Sequence, residues 1–363
     1  MTMAIDQASH PYTSVLETDG NPVAFFEAVH QTFQQAKQVM GEDFDRFYCI
    51  GGHTMQLRFA GPALVPRITP ALQHLATAPD ASPALTVCIW DSVSTLTQMP
   101  PPPWAQDAYV GRGEVYGYND GRMHTNFNLA SYVLSMLDTS SALAMYWTRD
   151  PNQLPYYESG APLREILNWW LSEYGYQFCH AGAVGTDKKG VLLAGRGGSG
   201  KSTTALTCLN SELVYASDDY CLLATDPCPY VYSLYNTAKV DADNIHRIPH
   251  LKSAISNADR LDAEKALLFL HQHFPDRIVK GFPIRAVLLP RVTGRRETVL
   301  TPASPAAGLM ALAPSTMFQL SGADQKAFRA ISRLLKQVPC YNLELGTDLE
   351  QVPDVILGLL RED

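Results

Sequence analysis

The chain has 363 residues, of which 46% are hydrophobic and 18% charged, and its formal net charge is -8. At about 100–200 residues per domain, this length predicts at least two domains and excludes a small scaffold held together by disulfides or metals. The composition excludes disordered, collagen-like and coiled-coil proteins, and the acidic balance disfavours nucleic acid and anionic membranes as partners.

No segment predicts export or membrane insertion. Residues 1–7 lack a basic stretch followed by an apolar one, and no run of about 18 apolar residues occurs. The 7 cysteines are spread along the chain without Cys-x-x-Cys pairs, which indicates reduced and mostly buried thiols. We therefore expect a cytoplasmic protein.

The amino-terminal part predicts a compact α+β unit. Apolar residues between Pro22 and Met40 recur every three or four positions, which predicts an amphipathic helix. Strands are predicted over residues 47–50, 55–59 and 84–90, and a second helix over residues 64–75. The proline run 100–103 then predicts a linker or an exposed crossover, because four successive rings remove four backbone donors.

Short apolar runs alternate with turn signals over residues 113–147, and Asn119-Asp120-Gly121 is typical of a hairpin. This pattern predicts an antiparallel meander. A helix is predicted from Pro162 to Tyr174. We place a domain boundary here, so that residues 1–150 form an amino-terminal α+β domain for recognition of a substrate or partner. Residues 151–363 form an α/β nucleotide-binding domain.

A glycine-rich loop carries the chemistry of the second domain. An apolar strand over 191–195 leads into G-x-x-x-x-G-K-S and then into a helical run, which is the strand–loop–helix context of a phosphate loop. Such a loop binds triphosphate through backbone N–H groups, a lysine and a hydroxyl that ligates Mg²⁺. The predicted ATP-binding residues are Gly195, Arg196, Gly197, Gly198, Ser199, Gly200, Lys201, Ser202 and Thr203.

A pair of carboxylates follows the next predicted strand, which covers residues 213–216. Asp218 and Asp219 would lie at the carboxyl end of a neighbouring strand in a parallel sheet, close to the phosphates. One of them could bind Mg²⁺ while the other accepts a proton from an attacking hydroxyl.

Three further side chains are candidates for the same site. His180, ahead of the loop strand, could orient an aspartate or polarise a phosphoryl oxygen. Lys239 follows a polar bend and Arg285 opens an apolar strand, and either could supply positive charge to the transferring phosphoryl group or the substrate.

The order His180-Ala181-Gly182, phosphate loop and Ser217-Asp218-Asp219 resembles the catalytic domain of HPr kinase/phosphorylase and related serine kinases. The resemblance is close over residues 176–225. It implies a phosphoenolpyruvate-carboxykinase-like fold and ATP-dependent phosphorylation of a serine hydroxyl. It also implies that Lys201 holds phosphates, Ser202 and Asp219 serve Mg²⁺, and Asp218 is the general base assisted by His180.

The resemblance has limits. No Arg-Gly-x-Gly segment follows the kinase core, so neither phosphorylase activity nor HPr itself as acceptor is implied. The relatives assemble into rings, which makes a homo-oligomer an expectation here.

Three other functional patterns are rejected. Leu320-Ser321-Gly322-Ala323-Asp324-Gln325 imitates the signature of ABC transporter ATPases, but a helix over 326–338 follows it instead of a strand ending in Asp. The pairs His271/His273 and His246/His250 do not share a helical face, which argues against zinc. The absence of Asn-Lys-x-Asp argues against a GTPase and leaves ATP as the expected nucleotide.

The sequence therefore predicts an ATP- and Mg²⁺-dependent kinase acting on a serine-type hydroxyl of a protein, a peptide or a small molecule. The alternative is a nucleotide-gated binding or scaffold module with little catalysis.

Overall fold

The computed structural model describes residues 21–319 and 325–362, which form a mixed α/β protein with two large sheets. The helices are α1 (Pro22–Met40), α2 (Val65–Leu72), α3 (Ser92–Thr95), α4 (Tyr156–Gly160), α5 (Arg164–Ser172), α6 (Lys201–Thr207), α7 (Pro305–Gln319), α8 (Gln325–Gln337) and α9 (Gln351–Arg361). No helix in these two ranges combines the length and the apolar character needed to cross a bilayer.

The first sheet has the order β1-β2-β3-β8-β7-β6-β5-β4. Its strands are β1 (Asp43–Ile50), β2 (His53–Ala60), β3 (Leu85–Asp91), β4 (Tyr109–Val110), β5 (Glu114–Val115), β6 (Met123–Asn128), β7 (Val133–Asp138) and β8 (Leu143–Thr148). Strands β4 to β8 pair antiparallel in succession, which confirms the predicted meander.

Helix α1 has the predicted bounds, and the two residues that flank it explain them. The Asn21 side chain accepts hydrogen bonds from the first backbone N–H groups, and Gly41 ends the helix in a left-handed conformation with φ 70°. Its apolar face, including Phe25 and Phe33, packs into the core over the first sheet.

Two amino-terminal predictions need adjustment. The proline run 100–103 has no regular structure and is a half-buried crossover between strands β3 and β4 of one sheet. The helix predicted over 162–174 starts only at Arg164, because Leu163 adopts a left-handed conformation with φ 59° and separates it from the short helix α4.

The second sheet contains the predicted phosphate-loop strand. Its main path is β12-β10-β11-β17-β14-β13-β9, with β19 pairing both β17 and β18. The strands are β9 (Gln177–His180), β10 (Gly182–Gly185), β11 (Gly190–Leu193), β12 (Val214–Ser217), β13 (Tyr220–Ala224), β14 (Tyr230–Ser233), β17 (Gly281–Val292), β18 (Val299–Ala303) and β19 (Cys340–Leu345). A separate small sheet pairs β15 (Thr237–Val240) with β16 (Ala266–Phe269).

The expectation that the aspartate strand β12 adjoins the loop strand β11 is wrong. Strand β10 lies between them and pairs antiparallel with both. Two antiparallel steps make β12 parallel to β11, so the carboxyl ends of both strands still lie at the same edge of the sheet.

One apolar core joins the two large sheets. Helix α5 packs on β7 of the first sheet and on β9 of the second. A single cluster of buried side chains contains Ile50 and Leu57 from the first sheet together with Phe178 and Leu222 from the second. Polar contacts cross the same boundary, including the hydrogen bond of 2.8 Å from the Tyr176 hydroxyl to the Gly51 carbonyl oxygen.

Two predictions concern residues that the structure does not describe. One is the expectation that residues 1–7 do not form an export signal, and the other concerns residues 320–324, which imitate the ABC transporter signature. The helix predicted after that stretch is present as α8, and β19 follows it. The cysteines are free thiols, and they are mostly buried as predicted: Cys88, Cys179, Cys208, Cys221 and Cys340 are buried, Cys49 is partly buried and Cys228 is exposed.

Candidate functional site

The glycine-rich loop connects β11 directly to the start of α6 at Lys201. Gly200 adopts φ 105°, a left-handed conformation that residues with a side chain rarely adopt, and a Cβ there would clash with the side chain of Leu345. Gly197 has open space around it. The loop is therefore close-packed beneath Gly200 and open at Gly197.

Lys201 is buried at the first position of helix α6, and its amino group turns back onto the loop. Its Nζ atom donates hydrogen bonds to the carbonyl oxygens of Gly195, at 2.6 Å, and Arg196, at 3.4 Å. Burial lowers the pKa of Lys201, and the charges of Asp218 and Asp219 only partly offset this effect.

Asp218 is buried at the end of β12 and has few partners. Its Oδ2 atom accepts a hydrogen bond of 3.2 Å from the backbone N–H of Lys239, and its Oδ1 atom is buried without a partner among the described residues. Burial raises the pKa of Asp218 to about 6, and the charge of Asp219 adds to the increase. The nearby Ser202 hydroxyl and the backbone N–H of Lys239 partly offset the shift.

Asp219, unlike Asp218, has a basic partner at each of its two carboxylate oxygens. His180 Nε2 lies 2.7 Å from Asp219 Oδ1, and Lys239 Nζ lies 2.7 Å from Asp219 Oδ2. Burial opposes ionisation of Asp219, but the lysine charge and the histidine hydrogen bond outweigh it and hold the pKa of this carboxyl well below its usual range. The pKa values of these adjacent carboxyl groups are thus shifted in opposite directions.

Strand pairing explains how His180 reaches this position. His180 ends β9 and lies opposite Tyr220, the first residue of β13 and the neighbour of Asp219. The resemblance implied that His180 assists Asp218, and the structure differs on this point because the hydrogen bond goes to Asp219.

These groups line a cavity of about 590 Å³. Of the predicted residues, it contains His180, Asp218, Asp219, Lys239 and 196–203. Gly195, the first residue of the loop, is not a lining residue. The structure does not bring Arg285 to the cavity. Arg285 lies on β17 between positions paired with Gly190 and Val191, at the edge of the sheet opposite the loop.

Sequence reasoning missed other lining residues. Tyr156 and Tyr157 come from α4, and Tyr220 follows the aspartate pair directly. The remaining polar ones, Asp241, Asn244, Arg247 and Lys265, lie in the segment between β15 and β16, and nothing in their local sequence indicates a site. Among these residues, only Tyr220 could have been proposed from the sequence, because it directly follows the Asp-Asp pair.

The donor set fits a magnesium ion. Mg²⁺ prefers hard oxygen ligands and usually takes one or two from protein carboxylates and the rest from water and phosphate. The lining includes the Ser202 hydroxyl and the Asp219 carboxylate, which its contacts with His180 and Lys239 keep ionised. The hydrogen-bonded oxygens of Asp219 keep further lone pairs for a ligand role.

Comparisons with known proteins assign the chain to no family. No protein-family model and no curated protein matches it significantly. Among solved structures, the Hpr(Ser) kinase/phosphatase from Coxiella burnetii matches with a TM-score of 0.28 and 12% sequence identity. That match covers 51% of this chain and 94% of the other.

Proposed function

We propose that this protein is an ATP- and Mg²⁺-dependent kinase that phosphorylates a serine-type hydroxyl, with residues 151–363 as a phosphoenolpyruvate-carboxykinase-like nucleotide domain. The observation that supports this best is one cavity lined by the loop, Lys201 and two aspartates of opposite protonation tendency. Transfer of a phosphoryl group depends mainly on positioning and charge, which such a cavity can supply.

Nucleotide binding is assigned to the loop. The backbone of residues 196–203 would surround the β- and γ-phosphates, and the Lys201 amino group would leave the carbonyl oxygens of Gly195 and Arg196 to contact them. Ser202 and Asp219 would hold the magnesium ion, which neutralises charge on the phosphate oxygens when bound. His180 and Lys239 keep Asp219 ionised, the state that a metal ligand requires.

Asp218 is the proposed general base. As the acceptor oxygen forms its bond to the γ-phosphorus, the bond from that phosphorus to the bridging oxygen of ADP breaks. The hydroxyl proton passes to Asp218 Oδ1, the carboxylate oxygen without a partner. A pKa of about 6 suits this role, because the group is mostly ionised at neutral pH yet still basic enough to accept a proton.

The test is transfer of label from γ-labelled ATP to added hydroxyl compounds, with Lys201→Ala as the critical variant. We expect this variant to lose ATP consumption by at least about 100-fold, the scale of removing one preorganised cationic or hydrogen-bonding group. Arg285→Ala is the matched control, because Arg285 lies away from the cavity, and it should retain wild-type turnover.

Two results would contradict the proposal. Undiminished turnover in Lys201→Ala would remove the loop from the reaction. Tight MgATP binding without transfer to any acceptor would favour the scaffold alternative instead.

A further inference from the structure

A concavity of about 380 Å³ lies beside the first sheet, apart from the cavity of the phosphate loop. Its lining comes from the turn 111–113 between β4 and β5, from residues 127–130 at the end of β6, from Tyr109, and from Arg164 at the start of α5. We call this concavity the arginine pocket. It shares no lining residue with the cavity that contains Asp218, so the two are separate.

Hydrogen bonds fix both turns that form the arginine pocket. The backbone N–H of Phe127 donates to the Gly113 carbonyl oxygen at 2.7 Å. The Asn126 side chain donates to the Arg112 carbonyl oxygen at 3.0 Å. On the other turn, the Asn128 side chain accepts hydrogen bonds from two backbone N–H groups that follow it. The pocket therefore has its shape before a ligand binds, which lowers the entropy cost of binding.

The arginine pocket combines apolar walls with positive charge. Tyr109, Phe127 and Leu129 supply the apolar part. Arg112 and Arg164 supply two guanidinium groups, and none of the described lining residues is acidic. Small-molecule sites commonly place a few polar groups among apolar and aromatic side chains, in volumes of about 300–1,000 Å³. The lining therefore fits a small molecule that carries both a negative charge and an apolar group.

The charge balance of the two arginines indicates that the ligand has a single negative charge. Arg164 donates to Glu165 Oε1 from Nε at 3.3 Å and from Nη2 at 3.2 Å, so its charge is already paired. The Arg112 side chain is exposed and has no ion-pair partner among the described residues. Glu158, a further carboxyl near Arg164, does not line the pocket, and burial raises its pKa. One unpaired positive charge matches a carboxylate better than a doubly charged phosphate monoester, and guanidinium groups bind carboxylates through paired hydrogen bonds.

Arg164 lies between the arginine pocket and the proposed catalytic cavity. Its Cζ atom is 5.7 Å from the ring centroid of Tyr220, and Tyr220 lines the catalytic cavity. A ligand in the arginine pocket therefore lies behind the wall of that cavity, away from Asp218 and the phosphate loop. Such a ligand is neither the nucleotide nor the phosphoryl acceptor.

We propose that the arginine pocket binds a small organic carboxylate, with its charge at the two arginines and its apolar group against Phe127 and the side chains beside it. The two guanidinium groups and the apolar wall hold the two ends of such a ligand at the same time. No residue of the catalytic cavity takes part, so this inference is independent of the proposed kinase function.

The first experiment measures the binding of small probes to the full chain by NMR titration. Phenylacetate and isocaproate carry a carboxylate and an apolar group, acetate lacks the apolar group, and phenethyl alcohol lacks the charge. We expect phenylacetate or isocaproate to bind at least about tenfold more tightly than acetate and phenethyl alcohol, because apolar burial and a charge-assisted hydrogen bond each contribute on that scale. Equal affinities, or no binding of phenylacetate and isocaproate, would overturn the proposal.

The second experiment removes one guanidinium group. Arg112→Ala should weaken binding of the tighter probe at least about tenfold, because a hydrogen bond to a charged group is lost. Arg112 is exposed, so the free energy of unfolding should stay at the wild-type value. Arg247→Ala is the matched control, since Arg247 is an exposed arginine that lines the catalytic cavity and not the arginine pocket, and it should keep the wild-type affinity.

The control also shows where the probe binds. Unchanged affinity in Arg112→Ala, or an equal loss of affinity in Arg247→Ala, would place the probe outside the arginine pocket and overturn the proposal. Neither measurement involves phosphoryl transfer, so the kinase function is tested separately.

Discussion

Replacement of Asp218 by asparagine should stabilise the protein while removing its chemistry. Raising the pKa of this buried carboxyl from its usual 3.8 to about 6 corresponds to roughly 3 kcal/mol of folding free energy that is lost when the group ionises. Asparagine has no charge to desolvate and retains an acceptor oxygen for the Lys239 backbone N–H. We therefore expect Asp218→Asn to be more stable than the wild type at pH 7.5 by up to about 3 kcal/mol.

The size of this stability difference depends on pH in a defined way. Below about pH 4 the carboxyl is protonated in both folded and unfolded chains, so wild type and variant should have equal stability. Between about pH 4 and 6 the folded chain holds the proton more tightly than the unfolded chain, and the wild type loses stability as pH rises. Above about pH 6 the difference should reach its full size.

Asp219→Asn is the matched control, because its environment predicts the opposite sign. It would leave Lys239 and His180 without their carboxylate and should cost about 1.5–3 kcal/mol at pH 7.5. Urea unfolding at pH 7.5 and 4, followed by tryptophan fluorescence, measures both variants. Equal destabilisation of the two variants at pH 7.5 would refute the reasoning, since Asp218 would then be a paired carboxylate like its neighbour.

Two further predictions concern the same cavity. The value of kcat/KM for MgATP should fall as pH decreases through about 6, because this ratio reports the free enzyme, in which Asp218 accepts a proton only when ionised, and a pH profile flat from 5 to 8 would contradict this. Gly200→Ala should weaken MgADP binding more than tenfold by calorimetry, because a strained backbone at φ 105° costs about 1–3 kcal/mol and the added Cβ clashes with Leu345. Arg285→Ala, which lies away from the cavity, should stay within twofold.

Local sequence was sufficient to predict the strand–loop–helix segment and the two aspartates that follow another strand. The strand, loop and helix occur in the predicted order, and Asp218 and Asp219 end a strand whose carboxyl edge coincides with that of β11. The antiparallel strand β10 between them was missed, because Gly182–Gly185 is short and glycine-rich and carries no strong strand signal. The aspartates nevertheless reach the loop, because two antiparallel pairings restore the parallel direction.

Tertiary pairing decided between the two candidate cations. Lys239 follows a polar bend and Arg285 opens a predicted apolar strand, and neither local sequence shows which of them reaches the site. Strand β17 runs parallel to β11, so a residue near its amino end lies at the edge opposite the phosphate loop. Lys239 reaches the site because β15 lies beside helix α6. The direction of β17, had it been inferred, would have excluded Arg285 from the sequence alone.

The different states of the two aspartates arise from strands that lie elsewhere in the sequence. Lys239 serves both residues, since its backbone N–H donates to Asp218 and its side chain pairs with Asp219. His180 adds its hydrogen bond to Asp219 alone, because the pairing of β9 with β13 places it opposite Tyr220. When two neighbouring acids have different pKa values, the one with the raised pKa can act as a base and the one with the lowered pKa stays ionised. The Asp-Asp motif therefore supplies two equivalent carboxylates, and the fold makes them chemically different.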